Sequence, residues 1–565
     1  MNLNLKQHLP SLVLLFGLAV VAVFLRANAG LFVPVAQDLD FAFQLMIAGT
    51  VIAVIRNELG MSTFGVFGPV ILAFSWVIIG PFWGFIVIAY IFVITSLARV
   101  AIGELDLGTA HRVASLLVVA AIGLFVIEAA GQLQDLSSLQ AIILFPVVLT
   151  TWYAERFVGS LTETGWLPAT RRLAATLLSI AVAFAIISYE PLVGLVISSP
   201  ELWVALVAIN ILLGTVTDTR LGEYLRFRTL RRSLGAENTG TILTMRIRNR
   251  EFISKYNPTS VMAAFDKGKM KKTLHGLSIP TPATYLIAAD DSDFQELQTL
   301  LETRDRFAIK PTDGSGGRDV LAVRGRDDET NEFLTNRGRL TADEIVAHTR
   351  HICVGGVSDY GARREALVEG FITPGGMLAT RTTGGVPDLR VISLFGFPVM
   401  SMVRLPTEES SGTANIHTGA VAVAIDIATG EASGGYQQTH NKFIDSHPDT
   451  GADLEFSIPD WEAVLTMASQ AGIASGLGYT GVDIVFDDND GPMVLEVNRR
   501  PGLGIQNANM DGLLHRLRHV ETHGDPDQFQ SARNRVLRSQ EWATQDWNTV
   551  EKPPVDSKAP SEVGI

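Results

Sequence analysis

Eight apolar runs crowd into the first 215 residues of this 565-residue chain and then stop. They are Leu12–Leu25, Phe41–Ile55, Phe64–Ile79, Trp83–Ala98, Val113–Ala130, Ala141–Tyr153, Leu173–Ser188 and Leu202–Thr215. Each falls short of the ~20 residues that cross a hydrocarbon layer, but polar-tolerant flanks lengthen most of them. The cations divide the same way, with 8 of the 45 Lys and Arg before Val216. The expected architecture is a polytopic α-helical membrane domain of about eight spans over residues 1–215, followed by a soluble part. Leu192–Ser198 is too short to be a further span. No convincing A-x-A site follows the first run, which reads as an uncleaved anchor.

Positive charge sets the expected orientation. With the soluble part in the cytoplasm, the inner side holds Lys6, Arg56, Arg99, Arg112, Arg156, Arg171 and Arg172, and the outer side holds Arg26. Both termini are then cytoplasmic, at the inner membrane. The run TDTRLGEYLRFRTLRRSLG is strongly basic and suits the anionic face of a lipid bilayer. Residues 216–235 read as a basic linker. Asp38, Asp40 and Glu128 lie near span ends and read as interfacial acids that reach water. The net charge of −13 argues against a general nucleic-acid binder. A single cysteine, Cys353, rules out disulfide frameworks and cysteine-based metal sites within one chain.

In the soluble part, GVDIVFDDNDGPMVLEVNRRPG (481–502) reads as two strands around a turn. Alternation points Glu496 and Asn498 to one face, and Leu495 and Val497 to the other, toward a core. Pairing Phe486 with Met493 places Asp483 opposite Glu496. Facing carboxylates repel, and a bound cation relieves them. Two carboxylates and an amide oxygen are hard ligands that suit Mg²⁺ better than zinc. A solvated acidic hairpin face is the alternative.

Other segments carry chemistry of middling specificity. In KYNPTSVMAAFDKGKMKKTL, Asp266-Lys267 opens a helix, with Lys269, Lys271 and Lys272 close behind. RFAIKPTDGSGGRDVLAV is strand, glycine-rich turn, strand; Gly314, Ser315, Gly316 and Gly317 let backbone N–H groups approach phosphate oxygens. It is not a Walker loop, because no G-K-[ST] opens a helix there. Asp388 and Arg390 share a strand face. Arg390 and Arg404 interrupt apolar strands, so each needs a partner, either an anionic ligand or an internal salt bridge.

Taken in order, these motifs resemble the ATP-grasp ligases, in particular the alpha-L-glutamate-ligase-like group related to ribosomal-protein glutamate ligases. The signature is G-V-D followed by E-V-N-x-x-P-G, and the likeness extends over Ala236 to Glu521. It implies an α+β ATP-grasp domain over 236–521. Asp483, Glu496 and Asn498 would be Mg²⁺ ligands (Mn²⁺ is the alternative ion). Lys267, Lys310 and the 314–317 turn would hold the ATP phosphates, and Glu369 would lie near adenine or ribose. Arg390, Arg404 and Asn415 would be catalytic, with His417 as a hydrogen-bonding neighbour. The segments RNELGMSTFGVFGPVILAF and RLGEYLRFR resemble a seven-helix membrane module usually found fused to an inactive transglutaminase-like domain. That family places an extracytoplasmic domain after its first helix; here about fifteen residues separate the first two spans, too few for a core.

The resemblance implies a membrane-anchored carboxylate–amine ligase working through an acyl phosphate. Glutamate is the suspected amino acid, and the carboxylate acceptor, membrane-associated in this reading, is unknown. The rival is an ATP-binding sensor attached to a transporter or scaffold. Residues 522–565, polar and proline-containing, read as a largely disordered tail.

Overall fold

A computed structural model describes residues 5–28, 39–102, 109–133, 144–164, 166–216, 221–312, 319–354, 365–545 and 547. Asp38 and the turn Gly314, Ser315, Gly316 and Gly317 lie outside the described residues. The chain divides into two compact units, Met1–Arg226 and Phe227–Ile565.

The first unit is helical: α1 (Leu5–Ala27), α2 (Asp40–Asn57), α3 (Phe67–Ile79), α4 (Pro81–Ala101), α5 (Thr109–Leu133), α6 (Leu144–Thr164), α7 (Trp166–Ile187), α8 (Glu190–Ser198) and α9 (Pro200–Val216). Each of the eight apolar runs falls on one of them. Four helices are long and apolar enough to cross a membrane: α2, α4, and the stretches His111–Ala129 of α5 and Ala169–Ile187 of α7. The pair α8 and α9, bent by 103°, makes a fifth candidate. The short run Leu192–Ser198 is therefore half of a broken segment. Phe16, Phe67 and Phe125 point outward, as side chains that meet lipid do. Inside, Ile47, Ile52, Leu72, Trp76 and Tyr153 form the packing centre. Gly80 at φ 85° followed by Pro81 at the helix start separates α3 from α4. Glu155 on α6 joins Arg99 of α4 at 2.6 Å and Arg112 of α5 at 3.0 Å, so the half-buried acid is neutralised from two neighbours.

The two segments that carried the membrane-module resemblance meet in space. The Leu221 N–H donates to the Glu58 carbonyl at 2.8 Å. Gly60 (φ +73°) lies so near Gly222 that a Cβ there would stand 3.4 Å from the Gly222 Cα.

The second unit holds two antiparallel sheets among the described residues. The six-stranded sheet is built from β1 (Thr284–Ala288), β2 (Phe307–Pro311), β3 (Leu321–Arg326), β4 (Phe333–Thr335), β5 (Gly338–Leu340) and β6 (Ala366–Gly370), in the order β1-β6-β2-β3-β4-β5. The seven-stranded sheet is built from β7 (Asp388–Leu394), β8 (Phe397–Leu405), β9 (Val421–Ile425), β10 (Ala432–Gln437), β11 (Lys442–Ile444), β12 (Tyr479–Asp487) and β13 (Gly491–Asn498), in the order β11-β10-β9-β8-β7-β12-β13. Helices α10 (Lys267–Gly276), α11 (Asp291–Thr303), α12 (Ala342–Val354), α13 (Trp461–Ala474), α14 (Leu514–His523) and α15 (Ala532–Thr544) accompany them. α11 and α12 cover the smaller sheet through Phe294, Leu297, Leu301, Ile345 and Ile352. The larger sheet is apolar on both faces: α10 and α13 pack on Leu389, Val403 and Ile484, and the opposite core gathers Ile392, Phe397 and Met402 with Leu517. Buried on two sides, its strands read as continuous apolar runs.

Two expected boundaries shift. Phe227 and Leu230, inside the expected 216–235 linker, are fully buried in the core of the second unit. The expected 522–565 tail contains α15, capped by Ser531, whose hydroxyl accepts from the Asn534 N–H at 3.1 Å. Val536, Trp542 and Trp547 are buried there, and Trp542 stacks on Phe397 at 5.5 Å. Aromatic burial outweighs the polar composition that suggested disorder. Residues 548–565 lie outside the described residues.

Candidate functional site

The hairpin β12–β13 sets the centre. Asp483 stands opposite Glu496, as expected, but by another route. Val485, not Phe486, faces Met493, and the register shifts between Asp483 and Ile484. Leu495 is the extra residue of this β-bulge, which restores the carboxylate pairing. The bulge also corrects the side of Leu495: it packs with Ile372, Val485 and Met493, whereas Val497 joins the main core with Val482 and Ile484.

Asp483 is buried and fully engaged. Arg390 donates from Nε to Oδ1 at 2.7 Å and from Nη2 to Oδ2 at 2.5 Å. Arg404 adds a contact from Nη2 to Oδ2 at 2.9 Å, and the Asn498 amide donates to the same oxygen at 3.0 Å. Arg404 also holds Asp388 through two bonds of 2.5 Å. The two strand arginines therefore take internal salt bridges, one of the two alternatives open to them. Asp388 and Arg404 are opposite one another on β7 and β8, and Asp483 is opposite Arg390 on β12 and β7. Burial pushes the Asp388 carboxyl up to about 6, with Arg404 opposing and Asp483 adding to the rise. Burial lowers the basicity of Arg404, but Asp388 and Asp483 more than offset it and hold the guanidinium firmly charged.

Helix α10 brings the lysines. Its N-cap is Asp266, whose side chain accepts from the Lys269 N–H at 2.9 Å. Lys267 then begins the helix, and Lys271, one turn later, shares its face. Lys267 pairs with Glu496 at 2.9 Å. Lys271 pairs with Glu369 on β6, which also takes Lys310 from β2 at 2.5 Å. Lys269 and Lys272 point to solvent. Burial and the neighbouring Lys310 charge lower Lys271 to about 8 despite Glu369. Burial raises the Glu369 carboxyl, but Lys310 and Lys271 outweigh it and hold it low. Glu496 is likewise raised by burial and lowered further by Lys267, so it stays ionised.

One electrostatic cluster thus collects five cations (Lys267, Lys271, Lys310, Arg390 and Arg404) and four carboxylates (Glu369, Asp388, Asp483 and Glu496), from both sheets and α10. The link between the sheets is close: after β6, the Thr373 N–H donates to Asp487 at 2.8 Å, and a Cβ on Gly375 would fall 2.5 Å from the Asp488 Cα. Beside the charges lies the small apolar group Ile372, Val485 and Met493.

The expected residues divide accordingly. Arg390, Arg404, Lys267, Lys310, Glu369, Asp483, Glu496 and Asn498 come together. Glu369 serves as the shared counterion of two lysines. Asn415 is elsewhere occupied: its side chain accepts from the His417 N–H at 3.0 Å, in the loop between β8 and β9. His417 Nδ1 meets the Gln438 amide at 2.8 Å. Lys271 and Asp388 were not singled out as site residues. The four-residue step from Lys267 and the two-residue step from Arg390 were the available signals.

A divalent metal fits this corner in part. Asn498 turns Nδ2 toward Asp483, which leaves Oδ1 as its outward oxygen, and Glu496 uses only Oε2 on Lys267. The Asp483 oxygens, in contrast, already accept four N–H contacts.

Two sheets clasp this cationic cluster in the second unit, while the first unit is helical and apolar. Residues 247–522 match the family described as sugar-transfer-associated ATP-grasp, and residues 25–231 match the family of seven transmembrane helices usually fused to an inactive transglutaminase. The chain thus carries an ATP-grasp domain and a membrane module. The match is to the sugar-transfer group and does not reach the glutamate-ligase subtype. No curated protein matches by sequence. Solved structures similar in part include the ATP-grasp ligase PsnB with its minimal precursor (15% identity, TM-score 0.25, 44% of this chain and 57% of that one). Another is the D-alanine–D-alanine ligase of Bacillus anthracis with ATP (16%, 0.25, 50% and 66%). A third is the L-amino acid ligase of Bacillus licheniformis (14%, 0.25, 48% and 47%). The chain spans less than two thirds of each.

Proposed function

We propose that the protein is a membrane-anchored, ATP-dependent carboxylate–amine ligase. The observation that carries this reading is the convergence of Lys267, Lys271, Lys310, Arg390 and Arg404 from α10 and both sheets. A carboxylate becomes an acyl donor when the γ-phosphoryl of ATP is transferred to it, and an amine then displaces phosphate from the acyl phosphate. This chemistry needs charge neutralisation and alignment more than an enzyme nucleophile. Lys271 and Lys310 neutralise phosphate oxygens, and Glu369 orients both. Arg390 and Arg404, fixed by Asp483 and Asp388, present a rigid cationic wall for the carboxylate under attack. The apolar Ile372, Val485 and Met493 offer a base-sized contact. Glu496 and Asn498 would hold Mg²⁺, with Asp483 as the third expected ligand; the ion would supply charge neutralisation to the phosphates.

The family description favours an acceptor that bears sugar. Glutamate is the proposed amino acid. In this reading the reaction runs at the cytoplasmic face of the inner membrane, which the distribution of Lys and Arg between the apolar runs supports. The engaged Asp483 oxygens favour a second reading, an ATP sensor without turnover.

ADP release separates the two. The detergent-purified full chain is given Mg²⁺ATP, single amino acids and membrane extract, beside Glu496→Gln. Release that needs one amino acid and extract, and is lost in the variant, establishes a ligase. ATP binding without stimulated release establishes the sensor.

A further inference from the structure

The Lys267–Glu496 pair has a consequence for how metal reaches the site, and it rests on the ATP-binding reading above. We propose that Lys267 is an intramolecular counterion that excludes free divalent metal from the Glu496–Asn498 corner, so that metal enters only as its complex with a nucleoside polyphosphate.

The argument begins with position. Lys267 is the first residue of α10, its backbone is fixed by the Asp266 cap, and its four-carbon stem carries the ammonium to Glu496. Its ammonium stands 2.9 Å from Glu496 Oε2, on the carboxylate whose remaining oxygen would face a metal. Both side chains keep about a fifth of their surface exposed, at 22% and 23%, so the pair is reachable from solvent. The deeper pairs of the cluster are not: the Asp483 and Glu369 side chains are 2% and 3% exposed. Lys267 is thus the one cation of the five that a ligand meets with its counterion still accessible.

Charge decides what can displace it. Among the described residues, five cations against four carboxylates leave the cluster with an excess of positive charge. A bare divalent cation would add to that excess and would have to expel Lys267 into the same cationic field. The complex of that metal with a nucleoside triphosphate is net negative, so it offsets the excess and offers Lys267 phosphate oxygens in place of Glu496. Asp483 cannot serve as a second entry point, because Arg390, Arg404 and Asn498 use both its oxygens.

Mn²⁺ is the probe. Its uptake by the full chain in detergent is followed through loss of the free-ion EPR signal, with and without a non-hydrolysable ATP analogue. Nucleotide binding is read in parallel with a fluorescent ATP analogue. The wild type is expected to take up Mn²⁺ at least about tenfold more tightly with nucleotide than without. Lys267→Gln is expected to gain about tenfold in nucleotide-free Mn²⁺ affinity, the scale of removing one adjacent like charge. Lys267→Arg keeps the charge and is expected to behave as the wild type, which separates the effect from misfolding. Stoichiometric nucleotide-free Mn²⁺ binding by the wild type, equal to that of Lys267→Gln, overturns the counterion role while leaving ATP binding intact. A wild type that binds no nucleotide under any condition overturns the ATP-binding reading and this inference with it.

Discussion

Glu369 is the residue on which the clasp turns, because two lysines from different elements share its carboxylate. Breaking a buried pair by removing one partner leaves charge without compensation and costs roughly 3–5 kcal/mol. Glu369→Gln should therefore lower the denaturant midpoint of the second unit, read by tryptophan fluorescence, and weaken ATP binding at the same time. Lys271 supplies a pH signature. Its ammonium sits near 8 in the folded protein against an ordinary 10.5. Below pH 8 it is charged in both folded and unfolded chains, and its burial cost is paid in full. Between 8 and 10.5 the folded chain has lost a proton that the unfolded chain retains, so this group's contribution to stability rises with pH. Phosphate attraction runs the other way: ATP affinity should fall as pH rises through about 8. Lys271→Arg, charged throughout, should flatten that profile in a titration with fluorescent ATP analogue.

At the scale of elements, α15 shows how a polar segment becomes structural. Ser531 caps it, and Trp542 lies flat against Phe397 of β8. Phe397 faces the same core that receives Phe227 and Leu230 at the start of the unit. The first and last described segments of the second unit therefore close on one apolar centre. Trp542→Ala removes a large buried ring and should cost about 3–5 kcal/mol. The check is a thermal melt of the full chain in detergent; an unchanged midpoint would mean that α15 is not part of the folded core. The bulge at Leu495 is the corresponding device in the sheet. One extra residue moves Leu495 to the apolar side cluster and still leaves Asp483 opposite Glu496.

For the whole molecule, the membrane unit and the ATP-grasp unit each have a core of their own. The proposed cytoplasmic placement of the second unit can be read by labelling. Cys353 is the single cysteine and is buried, so the background for thiol reagents is low. A cysteine introduced at the exposed Asp525 should react with a membrane-impermeant maleimide only after the cells are opened. Reaction in intact cells would reverse the orientation. Among the described residues, four helices, or five with the bent pair α8–α9, are long and apolar enough to cross a membrane, fewer than the eight apolar runs.

Hydropathy, alternation and motif spacing are local properties, and they were legible in the chain as written. They revealed the helical membrane part, the β12–β13 hairpin and the helix that opens at Asp266–Lys267; Lys267, Lys310 and Glu369 were named from the family resemblance, and the structure brings them together with Arg390, Arg404, Asp483, Glu496 and Asn498. Partner choice is not local. Arg390 and Asp483 are 93 residues apart, Lys271 and Glu369 are 98 apart, and strand order joins the first pair while the docking of α10 joins the second. That is why the arginines could be read equally as ligand-seeking or internally paired until β7 was found between β8 and β12. The same holds for the expected linker and tail. Phe227, Leu230 and Trp542 look isolated within polar sequence, and their burial depends on a sheet face contributed by residues far along the chain. Local pattern limits what each segment can become; long-range packing selects which charges meet, because the free energy of an ion pair or a buried ring belongs to its surroundings.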